Sequence, residues 1–408
     1  MEKKKNTPKL RFPEFTGEWE EKKLGEIANI SSGGTPNRSN SRYWDGNIAW
    51  ITTSLINFNV IYKAEEYITD EGLQNSSAKL FPSGTLLMAM YGQGVTRGKV
   101  SILGIEASCN QACCAIVPKK NLYDKLFIFQ NLFYRYDEIR NLSNQGGQQN
   151  LSGEIIKNIP IKLAAYSEQT KIATFLTAVD EKLTQLKKKK TLLEQYKKGV
   201  MQKLFSQELR FKDDNNQDFP DWQEKMLGEM ISLVVDNRGK TPSTIDEGIP
   251  LLEINSIGRK EINYNVVTKY VSEITYVSWF RKYLESGDVL FSTVGNTALC
   301  SYYTGEIKAC VAQNIVGLRF KNEVSLFMYY LMIEEKNKIK FKQIEMGAVQ
   351  PSIKVSQMID LYFEVPNLSE QQKIATFLSA IDEKISHCSA QIEKTEAWKK
   401  GLLQQMFC

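Results

Sequence analysis

Histidine and long apolar stretches are scarce in this 408-residue chain, and each scarcity narrows the functions that the protein can have. A single histidine, His387, works against most hydrolytic and metal chemistry, in which histidine is the usual base or ligand. Seven cysteines, an odd number, without an export signal predict a reducing cytoplasm. No apolar run approaches the roughly 18 residues of a membrane helix. The sequence therefore predicts a globular protein of the cytoplasm.

The charge balance is mildly basic, with 52 Lys and Arg against 47 Asp and Glu, a net charge of +5 and a pI near 8.6. This balance permits nucleic-acid binding without requiring it. The length predicts two to four domains at roughly 100–200 residues per domain.

Sequence motifs for catalysis or metal binding are also lacking. RGKT at 238–241 resembles the end of a phosphate-binding loop, but Val234 stands where that loop needs glycine. Cys109, Cys113 and Cys114 have no CxxC spacing, so buried thiols are expected rather than a metal site. We predict no catalytic residue and no metal site in this chain.

An internal repeat is the strongest feature that is present. SEQTKIATFLTAVDEK at 167–182 returns as SEQQKIATFLSAIDEK at 369–384, a shift of 369 − 167 = 202, with 13 of 16 positions identical. The same shift recurs more weakly elsewhere, for example where Gln111 aligns with Gln313. The chain is therefore predicted to be two copies of one unit, each a variable body followed by a well-matched segment.

The residues near the two ends predict how the copies connect. KLRF at 9–12 resembles ELRF at 208–211, which follows the first matched segment. We therefore expect the termini to lie close together, as in a ring of two units cut at one junction. The predicted divisions are an N-terminal segment completing the ring at 1–20, bodies at 21–165 and 219–366, matched segments at 166–207 and 367–408, and a linker at 208–218.

Apolar residues recur every seven positions in both matched segments, which predicts long helices that pack on one another. Ser167 and Ser369 stand where helix caps are expected. The lysine run 187–190 is expected to be a solvated face. Cys388 and Thr395 weaken the second stripe, which suggests that another protein packs there. The residues predicted to pack are Ile172, Leu176, Val179, Leu183, Leu186, Leu193, Val200, Ile374, Leu378, Ile381, Ile385 and Leu402.

The bodies are predicted to be mixed α/β and rich in loops. Each is expected to end in a helix, at 122–141 and at 324–343. The predicted strands lie at 47–55, 85–92, 112–118, 249–257, 288–295 and 314–320.

The loops of both bodies combine glycine with Arg, Lys, Gln and Asn. Arg and Lys pair with guanine, Gln and Asn pair with adenine, and glycine lets the backbone come close to DNA. Ordinary polar turn residues are the alternative, but Gln-rich loops at the same place in both bodies favour base contact. The candidate DNA-binding residues are Arg38, Arg42, Gln93, Arg97, Lys99, Gln148, Gln149, Asn150, Asn237, Arg238, Lys240, Arg259, Lys260, Asn296, Gln350, Ser352 and Lys354. Phosphate contact is expected of Arg97 and Lys99.

Two variable bodies alternating with two nearly identical helices resemble the specificity subunit of a type I restriction–modification system. The most specific marks are the two helix starts, SEQTKIATFL and SEQQKIATFL, preceded by NIPI at 158–161 and LYFEVP at 361–366. GTP at 34–36, NIAWITTS at 47–54 and GDVLFSTVG at 287–295 also fit the family's body pattern. The second body has GKTP in place of GGTP, a difference that suits bodies reading different half-sites.

This resemblance implies an α+β fold: two similar mixed α/β target recognition domains separated by two long antiparallel coiled-coil helices, with pseudo-twofold symmetry. Each body would read one half of a bipartite, non-palindromic target in double-stranded DNA. The helices would set the gap and dock two modification (methyltransferase) subunits that carry S-adenosylmethionine and methylate adenine. Restriction (translocase and nuclease) subunits would use ATP and Mg. The chain itself would hold no cofactor and catalyse nothing.

Two other functions stay open from the residues alone. An enzyme acting on DNA by itself, as in fused nuclease–methylase chains, is disfavoured because methyl-donor and nuclease motifs are missing. A coiled-coil scaffold that binds only proteins would show no sequence-specific DNA binding, which a gel shift with the modification subunits present would test.

Overall fold

The structure is a computed structural model that describes residues 7–92, 94–119, 122–142, 150–237, 239 and 241–407. The chain forms two compact units. Unit 1 comprises the described residues up to Lys187 together with those from Ala390 onward, and unit 2 comprises Lys188–Ser389. Among the described residues, no helix combines the length and the apolar character that a membrane span requires.

Unit 1 contains a five-stranded sheet, a three-stranded sheet and a two-stranded ribbon. Its strands are β1 Glu20–Lys23, β2 Ala28–Ser32, β3 Trp44–Ile51, β4 Val60–Ile61, β5 Glu66–Ile68, β6 Leu86–Ala89, β7 Val100–Leu103, β8 Ser108–Cys109, β9 Cys113–Pro118 and β10 Pro160–Leu163. Its helices are α1 Leu24–Ile27, α2 Asp70–Gln74, α3 Lys125–Tyr134, α4 Tyr136–Asn141 and α5 Gly153–Lys157, followed by the long α6 Tyr166–Phe205, which continues into unit 2. The sheet orders are β2-β9-β6-β7-β4 and β5-β3-β8, and β1 pairs with β10.

Unit 2 repeats this plan with a four-stranded sheet, a three-stranded sheet and a ribbon. Its strands are β11 Gln223–Met226, β12 Ile231–Val235, β13 Ile249–Leu252, β14 Tyr270–Val271, β15 Val289–Ser292, β16 Cys300–Tyr302, β17 Cys310–Val311, β18 Ile315–Phe320 and β19 Tyr362–Val365. Its helices are α7 Leu227–Met230, α8 Glu273–Trp279, α9 Ser325–Ile333, α10 Glu335–Gln343 and α11 Val355–Met358, followed by the long α12 Leu368–Met406, which continues into unit 1. The sheet orders are β12-β18-β15-β16 and β14-β13-β17, and β11 pairs with β19.

The predicted α+β class is confirmed, and the predicted strands are present as β3, β6, β9, β13, β15 and β18. The central strands β6 and β15 are buried along their whole length, which explains their continuous apolar sequence.

The prediction of one late helix in each body was wrong, because each is broken into two. In unit 1 the break falls at Arg135, whose guanidinium bonds the Glu138 carboxylate and the Pro160 carbonyl. In unit 2 Glu334 has extended backbone angles, and its carboxylate accepts a bond from the Asn337 amide at 3.1 Å. Glu334 therefore caps a new helix where the sequence suggested an uninterrupted one.

The long helices α6 and α12 pack in antiparallel orientation. In unit 1, Asp180 of α6 pairs with Lys399 of α12 at 2.5 Å. Further along α6, Lys187 pairs with Glu396, which lies earlier in α12, at 2.6 Å. Residue numbers therefore rise along α6 in the direction in which they fall along α12, so the two helices run antiparallel. Unit 2 has the equivalent ion pair, between Lys197 and Asp382.

Each helix buries the apolar stripe at its start against the end of the other helix. The core of unit 1 contains Ile172, Leu176 and Val179 of α6 with Leu402 of α12, and the core of unit 2 contains Val200 of α6 with Ile374, Leu378 and Ile381 of α12. Leu183 is buried, whereas Leu186, Leu193 and Ile385 are half-buried. Full burial of one such apolar side chain contributes about 1.5–3 kcal/mol.

Two expectations about these helices need correction. Ser167 and Ser369 are exposed residues of the first helical turns and not caps; in α12 the Asn367 side chain accepts a bond from the Glu370 amide instead. Cys388 and Thr395 are buried, so they do not offer a surface to another protein.

Candidate nucleic-acid interface

Several predicted loops of unit 1 meet at the carboxyl end of β6. The Met90 amide donates to the Ala112 carbonyl at 2.8 Å, and the Leu151 amide donates to the Met90 carbonyl at 2.9 Å. These bonds join the loop after β6, the turn before β9 and the end of the Gln-rich loop. The GGTP loop adjoins them, since the Gly34 amide donates to the Cys109 carbonyl at 2.9 Å.

The glycines of GGTP are required by this close approach. A Cβ atom on Gly33 would lie 2.0 Å from the Cys109 carbonyl oxygen, and one on Gly34 would lie 2.3 Å from the Ser77 carbonyl carbon. The loop is therefore fixed against its neighbours by backbone contact.

The loops of unit 2 meet in the same way at the end of β15. The Thr293 amide donates to the Asn314 carbonyl at 2.9 Å, and the Ile353 amide donates to the Thr293 carbonyl at 2.8 Å. The Gly295 amide donates to the Pro351 carbonyl at 2.8 Å. In each body, backbone hydrogen bonds between described residues therefore bring polar loops together at one end of the larger sheet.

Asn296, Gln350, Ser352 and Lys354 are brought together by this arrangement in unit 2. Met346 and Ser352 exchange two backbone hydrogen bonds of 2.8 Å, which close a hairpin with Gln350 near its tip. Asn296, Gln350 and Lys354 are exposed, and Ser352 is half-buried. Their amides and ammonium group can donate to bases or phosphates.

Arg38 of unit 1 is held in one orientation beside the GGTP loop. Its guanidinium lies 3.8 Å from the Trp44 ring centroid and 4.7 Å from that of Trp50. Both of its terminal nitrogens bond the Glu66 carboxylate, one of them at 3.0 Å. These bonds from Arg38 hold the pKa of Glu66 below its usual value. Half of the side chain remains exposed.

The other basic candidates of unit 1 differ in accessibility. Arg42 is exposed, and its guanidinium lies 3.9 Å from the Glu71 carboxylate. Lys99 is half-buried and donates to the Asn57 side chain at 2.7 Å. Arg97 is buried, and its Nε donates to the Arg140 carbonyl at 3.1 Å, so its expected phosphate contact is corrected to a role in holding the loop.

Three further candidates of unit 2 are either buried or placed apart from the loop face. Asn237 is buried, and its side chain accepts a bond from the Gly239 amide at 3.1 Å. Lys260 donates to Ser379 of α12 at 2.9 Å, and Arg259 is exposed beside it. Because the Lys260 carbonyl bonds the Tyr302 amide, these two basic residues lie at the end of β16 remote from the Asn296 loop.

The remaining candidates cannot be placed in the same way. Asn150 is half-buried. Gln93, Gln148, Gln149, Arg238 and Lys240 lie outside the described residues.

The Glu-Gln pair at each helix start fastens three parts of a unit together, a role the sequence did not reveal. In unit 1, Glu168 binds Arg11, and the Gln169 side chain accepts a bond from the Asp124 amide at 2.9 Å, at the start of α3. It also donates to the Ala164 carbonyl at 2.8 Å.

Unit 2 repeats these contacts. Glu370 binds Arg210, and the Gln371 side chain accepts a bond from the Val324 amide at 2.9 Å, at the start of α9. The only signal in the sequence was that Glu and Gln are identical in both repeats, which did not indicate a partner.

The helix ion pairs also hold the bodies. In unit 1, Gln130 of α3 donates to Asp180 at 2.7 Å, and in unit 2 Tyr330 of α9 donates to Asp382 at 2.6 Å. Burial and the nearby Asp382 charge raise the pKa of Tyr330, so this tyrosine remains a neutral donor.

The cysteines of unit 1 are placed for packing. Cys109, Cys113 and Cys114 are buried free thiols, and burial raises the pKa of Cys114 to about 12. Within the described part of the chain, no group of three or more His, Cys, Asp or Glu side chains is placed to hold a metal ion.

Comparison with known proteins gives a consistent family. The sequence profile of one protein family, the type I restriction modification DNA specificity domain, matches residues 16–195 and again residues 220–396. The MjaIX specificity subunit of Methanocaldococcus jannaschii is 22% identical, covering 95% of this chain and 92% of that protein. The MjaVIII specificity subunit of the same organism is 23% identical over 97% of this chain and 92% of its own. A crystal structure of the type I S subunit from M. genitalium shares the fold, with a TM-score of 0.64 at 17% identity over 98% and 99% of the two chains.

Proposed function

Because the chain belongs to the family of type I restriction–modification DNA specificity domains and carries two copies of that domain, we propose that it selects the DNA target of a type I restriction–modification complex. The duplication carries the proposal: two bodies of one architecture present different side chains from equivalent loops. Each body reads one half of a bipartite target in double-stranded DNA. Since the loop residues differ, the two halves differ in sequence and the target is not a palindrome.

Base reading falls to the accessible loop residues. In unit 2 these are Asn296, Gln350 and Lys354, whose exposed polar groups belong to one rigid loop set. In unit 1 the accessible arginines are Arg38 and Arg42, which follow the GGTP loop. Base edges in the major groove offer the acceptors and donors that such side chains match.

The long helices set the gap between the two halves and carry the catalytic partners. Two modification subunits dock on the helices and methylate adenine with S-adenosylmethionine, and restriction subunits supply translocation and cleavage with ATP and Mg. This chain needs no cofactor of its own in that scheme. We also propose that the protein is located in the cytoplasm, which is supported by its DNA target and by its buried free cysteines.

Adenine methylation in a host tests the proposal directly. The chain is expressed with its modification subunits in a strain that lacks other adenine methylation, and the genome is sequenced for methyladenine. We expect one motif with two unlike halves and an unread gap. The combined variant Asn296→Ala and Gln350→Ala should relax or abolish one half only.

The matched control omits this chain. Modification subunits expressed alone should leave the genome without that motif. Methylation at the same motif without this chain, or a palindromic motif with it, would contradict the proposal.

A further inference from the structure

An apolar side chain, Val349, stands at the tip of the hairpin that Met346 and Ser352 close in unit 2. It is 99% exposed, so burial within the described part of the chain does not account for it. Single exposed apolar side chains are common on protein surfaces. Val349, however, directly precedes Gln350 on the candidate nucleic-acid interface, and the candidate set derived from loop composition contains only polar residues.

Contacts on both sides fasten this hairpin to the loop that follows β15. On one side the Gly295 amide donates to the Pro351 carbonyl at 2.8 Å. On the other side the Glu345 carboxylate accepts bonds from the Thr297 hydroxyl and from the Lys342 ammonium, the latter at 2.7 Å. Val349 is therefore presented from a hairpin whose position is fixed relative to the polar loops of its body.

The fold of the hairpin requires a glycine but does not require this valine. Gly347 has a φ of +90°, and a Cβ atom there would lie 2.7 Å from the Gln350 carbonyl oxygen. Turns of this kind favour Gly, Pro, Asn, Asp and Ser, because these residues fit or stabilise the turn backbone. A β-branched side chain at the tip adds neither burial nor a hydrogen bond, although it holds a stiff, defined shape.

The chemistry of an isopropyl group limits what it can recognise on DNA. It can neither donate nor accept a hydrogen bond, so phosphates and most base edges offer it nothing. In the major groove the one alkyl group that an unmodified base edge presents is the C5 methyl of thymine. Apolar wedges that enter between base pairs are typically Phe, Leu, Ile, Met or Pro and act from the minor groove, which does not suit a short valine.

We propose that Val349 is a specificity-determining residue that contacts the C5 methyl group of a thymine in the half-site read by unit 2. The inference rests on the proposed function. The shift of 202 aligns Val349 with Gly147, which has no side chain to make such a contact. The thymine contact is therefore expected in one half of the target only.

A double-mutant cycle between protein and DNA tests the contact. The target is first read from methyladenine sequencing. Duplexes are then made in which deoxyuridine, which lacks the C5 methyl, replaces one thymidine at a time. Thymidines paired with a methylated adenine are left unaltered, because methylation takes that adenine out of the stack. Each duplex is titrated by fluorescence anisotropy with the complex of this chain and its modification subunits.

The coupling between the two changes decides the outcome. At one thymidine, deoxyuridine should weaken the unaltered complex about 4-fold, the loss expected for one methyl group. Val349→Ala removes two methyl groups and should bind the natural duplex roughly 4- to 15-fold more weakly. The same deoxyuridine should leave binding by Val349→Ala unchanged.

Three results would overturn the proposal. In the first, the losses from the side chain and from the methyl group multiply at every thymidine, so that no position is coupled to Val349. In the second, Val349→Ala binds as tightly as the unaltered complex. In the third, the target contains no thymine other than those paired with a methylated adenine.

Val277→Ala is the matched control, since Val277 of α8 is also exposed, at 66%, and loses the same two methyl groups. Val271, just before α8, pairs with Ile249 at the start of β13, whereas the turn before β18 bonds Leu252 at the end of that strand. The control should bind every duplex as the unaltered complex does, and circular dichroism should show the same melting for both variants.

Failure of this contact is distinguishable from failure of the proposed function. If the unaltered complex binds target and scrambled duplexes equally well, the proposed function itself fails. If it prefers the target and no thymidine is coupled to Val349, only the role of this valine fails.

Discussion

The arginine–glutamate pair at each helix start gives a quantitative prediction. In unit 2, Arg210 Nε and Nη2 donate to the two Glu370 carboxylate oxygens at 3.2 and 2.8 Å, and in unit 1 Arg11 bonds Glu168 at 2.7 Å through both nitrogens. The carboxylates are 0% and 1% exposed, whereas the arginine side chains are 22% and 17% exposed. Removing the arginine and removing the glutamate should therefore have unequal costs.

The change Arg210→Met keeps the aliphatic stem and leaves the Glu370 carboxylate buried without a cation. Unpairing a buried charge costs about 3–5 kcal/mol, and partial exposure of this pair puts our expectation at about 3 kcal/mol. Glu370→Gln leaves Arg210 bonded to the Pro220 carbonyl at 2.6 Å and within reach of water. We expect that variant to lose only about 1 kcal/mol.

Hydrogen exchange across a urea series, read by mass spectrometry, measures this loss for each unit separately. A single melting temperature would not, since unfolding of two units need not be two-state. Lys212→Met is the control, because Lys212 is exposed and its pair with Asp218 spans 3.7 Å. A loss in Glu370→Gln as large as that in Arg210→Met would refute the reasoning from buried charge.

Three further predictions concern the body of unit 2, the long helices and two tyrosines of unit 2. Exchanging residues 219–366 for the body of another family member should change one half of the methylated motif, and a change in both halves would contradict modular reading. Four residues can be inserted after position 189 of α6 and another four after position 389 of α12, which lengthens each helix by about 6 Å. This change should lengthen the unread gap and leave both halves of the motif unaltered. An unchanged gap would refute the spacer role. Burial raises the pKa of Tyr264 and Tyr276 from 10.0 to about 12, so their neutral forms favour the folded state. Their contribution to the free energy of unfolding is complete below about pH 10 and is lost as the pH rises through about 12. The urea midpoint of unfolding, measured against pH, should therefore fall over this range, and it should fall less steeply in Tyr276→Phe.

The long helices and the duplicated architecture were predictable because their signals are local. A sevenfold apolar period specifies a helix with one packed stripe, whatever lies around it. Buried strands such as β6 and β15 likewise show as short apolar runs. Because the chain is a repeat, a feature predicted in one body could be checked at the equivalent position of the other body.

Accessibility of the loop residues was not predictable, because it depends on contacts distant in sequence. The sequence around Arg97 suggests a phosphate ligand, but in the structure its side chain donates to the Arg140 carbonyl. Glu334 breaks a helix through a cap that apolar periodicity does not encode. Gln169 acts on the start of α3, a partner that only tertiary structure reveals.

The ties between each body and its helix have a consequence for the rotational phase of the target. Gln371 and Asp382 bind α9 at two separate points of α12, so the body of unit 2 has no pivot on that helix. One extra base pair in the gap turns the next half-site by about 35° around the duplex axis. Following that turn would mean breaking one of these bonds, so a target whose halves are misphased by a single base pair should be rejected even when every base in both halves is correct.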